Sequence, residues 1–126
     1  MQQTIRAGEL RKVIGGSLQA HRALEEAVLF LLERAGVPAT PIYTGPKIVP
    51  YRGGGLGWGK NPQRGMADIL ACIPPHGRLA LLELKTGRAG RKRHQVETRV
   101  RYESAGALCL LVRSVADLEP IIGRVG

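Results

Sequence analysis

Three ionisable residues stand where the surrounding sequence leads one to expect apolar ones. Leu79 to Lys85 is an apolar run broken only by Glu83 and Lys85. In a strand, residues two apart share a face, so the carboxylate and the ammonium project together while Leu82 and Leu84 turn to the core. A salt bridge at the solvated end of a strand would account for the pair alone. Asp68 extends the pattern. It opens a second apolar run, to Ile73, and Pro74-Pro75-His76-Gly77 between the two runs makes a turn. A four-residue turn pairs Ile73 with Arg78 and so sets Asp68 opposite Glu83. A register shifted by one turns Asp68 to the wrong face unless a bulge restores it. Adjacent carboxylates repel unless a cation lies between them, so Asp68 and Glu83 outline a Mg2+ site with Lys85 at its rim. Such a cation polarises a phosphoryl oxygen and helps ionise a water, and Lys85 is placed to position that water or offset charge on the phosphate.

The neighbouring sequence is basic. From Lys85 to Arg101 there are seven Lys or Arg and one acid, Glu97, within a chain of 126 residues carrying +9. Such a field draws polyanions, which makes nucleic acid the first partner to consider. Gln95, Arg99 and Tyr102 share a face of the helix expected over about 92–105, and Val96 with Val100 forms a narrow apolar edge. Arg88, Arg91, Lys92, Arg93 and Arg99 are the candidate phosphate contacts there. Arg52, Lys60 and Arg64 join them from a Gly-rich segment over 46–65. Aromatic residues make up only 4% of the chain, so base stacking is not expected to dominate recognition. In the Gly-rich segment, Trp58 and Tyr51 are open to three readings: contact with DNA, anchorage on their own domain, or burial against a partner.

Gly65-Met66-Ala67-Asp68, Glu83-Leu84-Lys85 and Gln95, in this order, resemble the PD-(D/E)XK nuclease core, and more narrowly the virus-type replication-repair nuclease (VRR-NUC) group. The resemblance spans about residues 24–118. Ala67 replaces a proline that often precedes the aspartate. The resemblance implies a restriction-endonuclease-like α/β fold and a structure-specific endonuclease using Mg2+, with Mn2+ as a substitute, on duplex or branched DNA in repair or recombination. By the same resemblance Asp68, Glu83 and the backbone carbonyl of Leu84 hold the metal, Lys85 serves the attacking water, and Gln95 is a site residue. The family also carries a glutamate on its first helix. Helical spacing turns Glu25 toward the domain and Glu26 and Glu33 away, so Glu25 is a further candidate ligand. His21, one turn earlier, reads as an ordinary partly buried histidine. The helix also resembles that of archaeal Holliday junction resolvases. Cutting a four-way junction on paired strands calls for a two-fold homodimer, for which the 46–65 segment offers apolar material and a means of exchange between subunits. Two further readings compete: a non-catalytic basic binding module on a nuclease-like core, and a small basic RNA-associated protein.

The elements expected to position these residues form an α-β-β-β-α-β-α order, an α/β sandwich about a small mixed sheet. A loosely supported helix over Thr4–Val13 comes first. A stronger one follows Ser17, with Leu24, Ala27, Val28, Leu31 and Ala35 as its apolar stripe and Gly36 as its stop. Strands are expected over 38–44, 68–73, 79–86 and 107–113, with a short last helix introduced by Ser114 and Asp117 and running through Ile122. The 46–65 segment reads as a long loop or a loose hairpin. At 126 residues and 13.6 kDa the chain has room for one domain, with its core over about 17–122. Cys72 and Cys109 lie in apolar runs and read as buried free thiols. Neither the cysteines nor His21, His76 and His94 are paired at zinc-ligand spacing. No apolar run approaches the roughly 20 residues of a membrane span, and no secretory signal is evident. The expected compartment is the cytoplasm of a bacterial or virus-infected cell.

Overall fold

The computed structural model describes residues 17–45, 47–59, 61, 65–87 and 93–123. The expected helix over Thr4–Val13 lies outside them, as do Lys60, Arg64, Arg88, Arg91 and Lys92. Helix α1 spans Ser17–Arg34, and strands follow as β1 (Ala39–Pro41), β2 (Lys47–Pro50), β3 (Leu56–Gly59), β4 (Ile69–Ile73) and β5 (Arg78–Leu84). Helix α2 (Arg93–Ser104), strand β6 (Leu108–Val112), a 3-10 turn (Val115–Leu118) and the single turn α3 (Glu119–Ile122) complete the order. The main sheet runs β1-β4-β5-β6, antiparallel except for the parallel pair β5 and β6, which α2 connects. It is the small mixed sheet expected from the sequence, with the hairpin β2–β3 added outside it.

Both long helices end where glycine permits. Gly36 adopts φ +76°, and the bonds Gly36 N to Glu33 O (3.0 Å) and Val37 N to Leu32 O (2.9 Å) close α1 with a Schellman motif. Gly106 repeats this after α2, with Ala107 N bonded to Tyr102 O at 3.0 Å. In each case the chain turns directly into a buried residue, Val37 or Ala107, so the helix stop also aims the next strand.

The core lies between α1 and one face of the sheet. Val28 and Leu32 of α1 meet Ile69, Ala71, Ala80, Leu82, Leu84 and Val112, all buried, with Leu118 of the 3-10 turn closing one side. The apolar stripe thus differs from expectation: Leu32 is fully buried, while Ala35 lies past the helix end and is exposed. Asp117 organises the last turn, its Oδ2 accepting the Arg113 N–H (2.8 Å) and the Ser114 N–H (3.1 Å). That element begins as 3-10 and becomes α-helical only at Glu119.

The opposite sheet face carries Leu81, Glu83, Cys109 and Leu111, and α2 packs there against β6. Cys72 was expected to be buried and is exposed. It lies toward the turn end of β4, whereas α2 rests on β6, the far edge of the sheet, and leaves that region open. No described helix is long and apolar enough to cross a membrane.

Burial separates two neighbouring residues of α1 sharply. Leu32 is inaccessible and Phe30 is 45% exposed. Leu32→Ala is expected to cost about 2–5 kcal/mol of stability and Phe30→Ala less than about 1 kcal/mol, read from guanidinium unfolding midpoints. Equal losses would contradict the placement of the core.

Candidate active site

The site is built on the β4–β5 hairpin. Pro74 to Gly77 form its turn, closed by Gly77 N to Ile73 O at 3.0 Å with Gly77 at φ +75°. The register runs from Ile73↔Arg78 to Ile69↔Leu82, as a four-residue turn requires. Counting one residue further sets Asp68 opposite Glu83. At that position the ladder slips, because the Asp68 N–H donates to the Leu82 carbonyl (3.0 Å), one residue short of the register. This is the offset of a β-bulge, a device that re-aims a side chain at a strand end.

The re-aimed carboxylate reaches across to β5. Asp68 Oδ2 accepts the Leu84 N–H at 2.7 Å, a short bond between a charge and the main chain. The Leu84 carbonyl is oriented as well. The Lys85 N–H donates to Val112 O on β6 (3.0 Å), and a trans peptide points its C=O opposite to its N–H. That carbonyl is therefore turned from β6 toward the edge where Asp68 stands. On its other side Asp68 Oδ1 lies 3.6 Å from His21 Nε2 on α1, an ion-pair distance when the imidazole is protonated.

Glu83 and Lys85 project to the face covered by α2. Glu83 is only 6% exposed, the one buried charged residue among those described. Lys85 Nζ donates to Gln95 Oε1 at 2.9 Å, tying the strand end to the first turns of α2. The same strand end is held from β6, where the Arg113 guanidinium donates to the Gly87 carbonyl at 3.1 Å.

Near the end of β5 the structure places the expected residues in separate groups. Asp68 meets the main chain of Leu84, Lys85 meets Gln95, and Glu83 is buried between them in sequence. From α1, the residue that reaches the Asp68 carboxylate is His21, whose sequence context indicates only an ordinary histidine. Its place one turn before Glu25 was the available signal. Glu25 is half-buried and Glu26 and Glu33 are exposed, the sidedness that helical spacing requires.

Among the described residues no three His, Cys, Asp or Glu side chains converge as a ready cage for a metal. The donors on offer are carboxylates and a main-chain carbonyl, with the His21 imidazole beside Asp68. The oxygens suit Mg2+, which keeps several waters and takes one or two carboxylates.

The cations expected to hold phosphate are partly engaged. Arg93 pairs with Glu97 (3.1 Å) and Arg99 with Glu103 (2.7 Å), both one helical turn apart on α2. The Arg99 pKa is raised above its ordinary value, first by the hydrogen bond to Glu103 and then by the charge of Glu103, with burial opposing. Exposed pairs of this kind contribute about 0.3–0.5 kcal/mol and yield readily to a phosphate. Val96 and Val100 face solvent on the same helix. Arg52 is exposed in the turn between β2 and β3.

A four-stranded mixed sheet with α1 on one face, α2 on the other and carboxylates at the end of its central hairpin is a restriction-endonuclease-like core. Among solved structures the chain is similar to a VRR_NUC domain, with a TM-score of 0.57 and 18% sequence identity, over 84% of this chain and 97% of that one. The chain therefore has the VRR_NUC fold, as the resemblance in its sequence implied. No family model and no curated protein matches it at the level of sequence.

The Asp68 contact to the main chain yields a test that is independent of catalysis. Asp68→Ala strips the Leu84 N–H of its acceptor and should cost about 1–3 kcal/mol. Asp68→Asn retains an oxygen at that point and should lose less than half as much. Urea unfolding of the two variants measures the difference. Equal destabilisation would mean that this bond does not fasten the strand end.

Proposed function

We propose that the protein is a metal-dependent endonuclease that hydrolyses phosphodiester bonds in duplex or branched DNA, including four-way junctions. The observation that carries this reading is Asp68 held by the Leu84 N–H at the end of the same hairpin that presents Glu83 and Lys85. The VRR_NUC fold and the charge of +9 support it.

Asp68, Glu83 and the Leu84 carbonyl would hold Mg2+, with Glu25 as a further ligand. When bound there, the cation supplies polarisation of the phosphoryl oxygen and a lowered pKa for a water. The remaining steps fall to the chain. The Leu84 N–H and His21 fix the Asp68 carboxylate in one orientation. Lys85 holds the attacking water and offsets negative charge that grows on the phosphate. Gln95 is a positioning residue, since it accepts from Lys85 and leaves the other ammonium hydrogens directed elsewhere. Arg88, Arg91, Lys92, Arg93 and Arg99, with Arg52, Lys60 and Arg64, would bind the backbone on either side of the cut. Paired cuts across a junction require two such sites, hence a homodimer.

One observation favours the alternative, a binding module on a nuclease-like core: both oxygens of Asp68 already have protein partners, the Leu84 N–H and His21. Cleavage decides between them. With Mg2+, the protein should nick a labelled four-way junction in preference to linear duplex, and chelation should stop it. Asp68→Asn and Lys85→Ala should lose at least about a hundredfold in rate and keep DNA affinity. Replacing Arg91, Lys92 and Arg93 together should instead weaken binding and lower its salt dependence by about one per lost phosphate contact. An Asp68→Asn variant that cuts like the parent would exclude this site. Light scattering near twice 13.6 kDa would support the dimer, and a monomer cutting both substrates equally would remove the junction assignment.

A further inference from the structure

The hairpin β2–β3 has its apolar side turned outward. In its register Ile48 pairs with Trp58 and Pro50 with Leu56, so these four side chains share a face, and all are exposed: Trp58 is 70% accessible, Leu56 72% and Ile48 61%. The other face is closed on itself. The Tyr51 ring fills the space above Gly57, and Val49 fills that above Gly59, so that a Cβ at either glycine would collide with them. Trp58 therefore does not anchor the segment to its own domain.

The surroundings identify what covers this face. Residues 34–67 contain no Asp or Glu and five basic residues, Arg34, Lys47, Arg52, Lys60 and Arg64. An apolar face on a segment whose charged side chains are all basic complements a polyanion that has apolar surfaces of its own, namely the faces of nucleic-acid bases. A second copy would bring another +9 to the same place, and four side chains fall far short of the roughly 20–30 residues per side of a stable protein interface.

Position supports the same occupant. The excursion leaves the sheet at Ile42, whose N–H bonds to the Asp68 carbonyl (2.8 Å), and returns at Asp68. Its neck is closed by Asn61 Nδ2 donating to the Tyr43 carbonyl at 2.8 Å. The hairpin is thus rooted at the candidate active site.

We infer that the β2–β3 hairpin is a base-stacking arm, in which Trp58, flanked by Ile48 and Leu56, packs on a base left unstacked at a branch, gap or end while Lys47 and Arg52 hold adjacent phosphates. A regular duplex presents no such base and makes only the phosphate contacts. This rests on the reading of the protein as one that binds DNA, and adds to it the structural feature by which a branch is recognised.

Trp58 is the only tryptophan, so its emission reports on this arm alone. The full chain is titrated in chelator, so that nothing is cut, with two DNAs: a relaxed, covalently closed circular duplex, and the same circle with a two-nucleotide gap. The gapped DNA should quench Trp58 emission and the sealed one should not. Trp58→Ala should weaken binding to the gapped DNA about tenfold and leave the sealed DNA unaffected, while Trp58→Phe keeps most of the preference. Equal quenching by both DNAs, or an equal loss of affinity for both, would overturn the inference. So would emission that ignores DNA and instead shifts with protein concentration, the behaviour of a face covered by a second copy. Because no cleavage is needed, a failure of the nuclease reading leaves these outcomes distinct.

Discussion

The hydrogen bond from the Leu84 N–H to Asp68 Oδ2 is the constraint on which the rest of the site depends. It lies where regular pairing of β4 with β5 has stopped, and the Asp68 backbone has already slipped to Leu82. Without this side-chain acceptor, the end of β5 would be held from the β6 side alone. With it, the Leu84 peptide is fixed from both edges, and a carboxylate, a main-chain carbonyl and the stem of Lys85 become mutually rigid. The strands thus use an ionisable side chain to complete a backbone ladder.

Two faces of one strand serve different purposes. Leu82 and Leu84 join the core under α1, where Ile69 and Val112 flank them. Glu83 and Lys85 point the other way, under a helix that holds Lys85 through an amide rather than a carboxylate. The choice of partner matters, since an amide orients an ammonium without neutralising it. Burial of Glu83 carries a desolvation cost that an apolar residue at the same position would avoid.

How legible was this from the sequence? Wherever local chemistry determines geometry, it was. The Pro74 to Gly77 turn determines the β4–β5 register as far as Ile69↔Leu82, and the slip at Asp68 departs from it. Gly36 and Gly106 end their helices for the reason glycine usually does, and Glu25 and Glu26 divide as 100° per residue requires. What escaped depends on how elements lie against one another. The contact of His21 with Asp68 follows from the placement of α1 on the sheet, and the exposure of Cys72 from α2 resting on β6. In the 46–65 segment the apolar residues of β2 and β3 pair with each other and face solvent, so no alternation toward a core marked them as strands. The pairs Arg93–Glu97 and Arg99–Glu103 have helical spacing and could have been read as such. The excess of positive charge drew the reading toward phosphate instead.

The place where the hairpin is inserted bears on how such a protein can change over generations. β1 and β4 are neighbours in the sheet, so the chain between them could have been a short connection. Instead the chain leaves at Ile42 and returns at Asp68, and between them β2 and β3 pair with each other, with Val49 and Tyr51 lying over Gly59 and Gly57. Since the register of β4 and β5 is set by the turn at the other end of β4, substitutions or changes of length in this unit need not disturb it. The hairpin is a cassette. Selection can reshape it without renegotiating the arrangement of Asp68, Glu83 and Lys85, so the two parts of the chain can change independently.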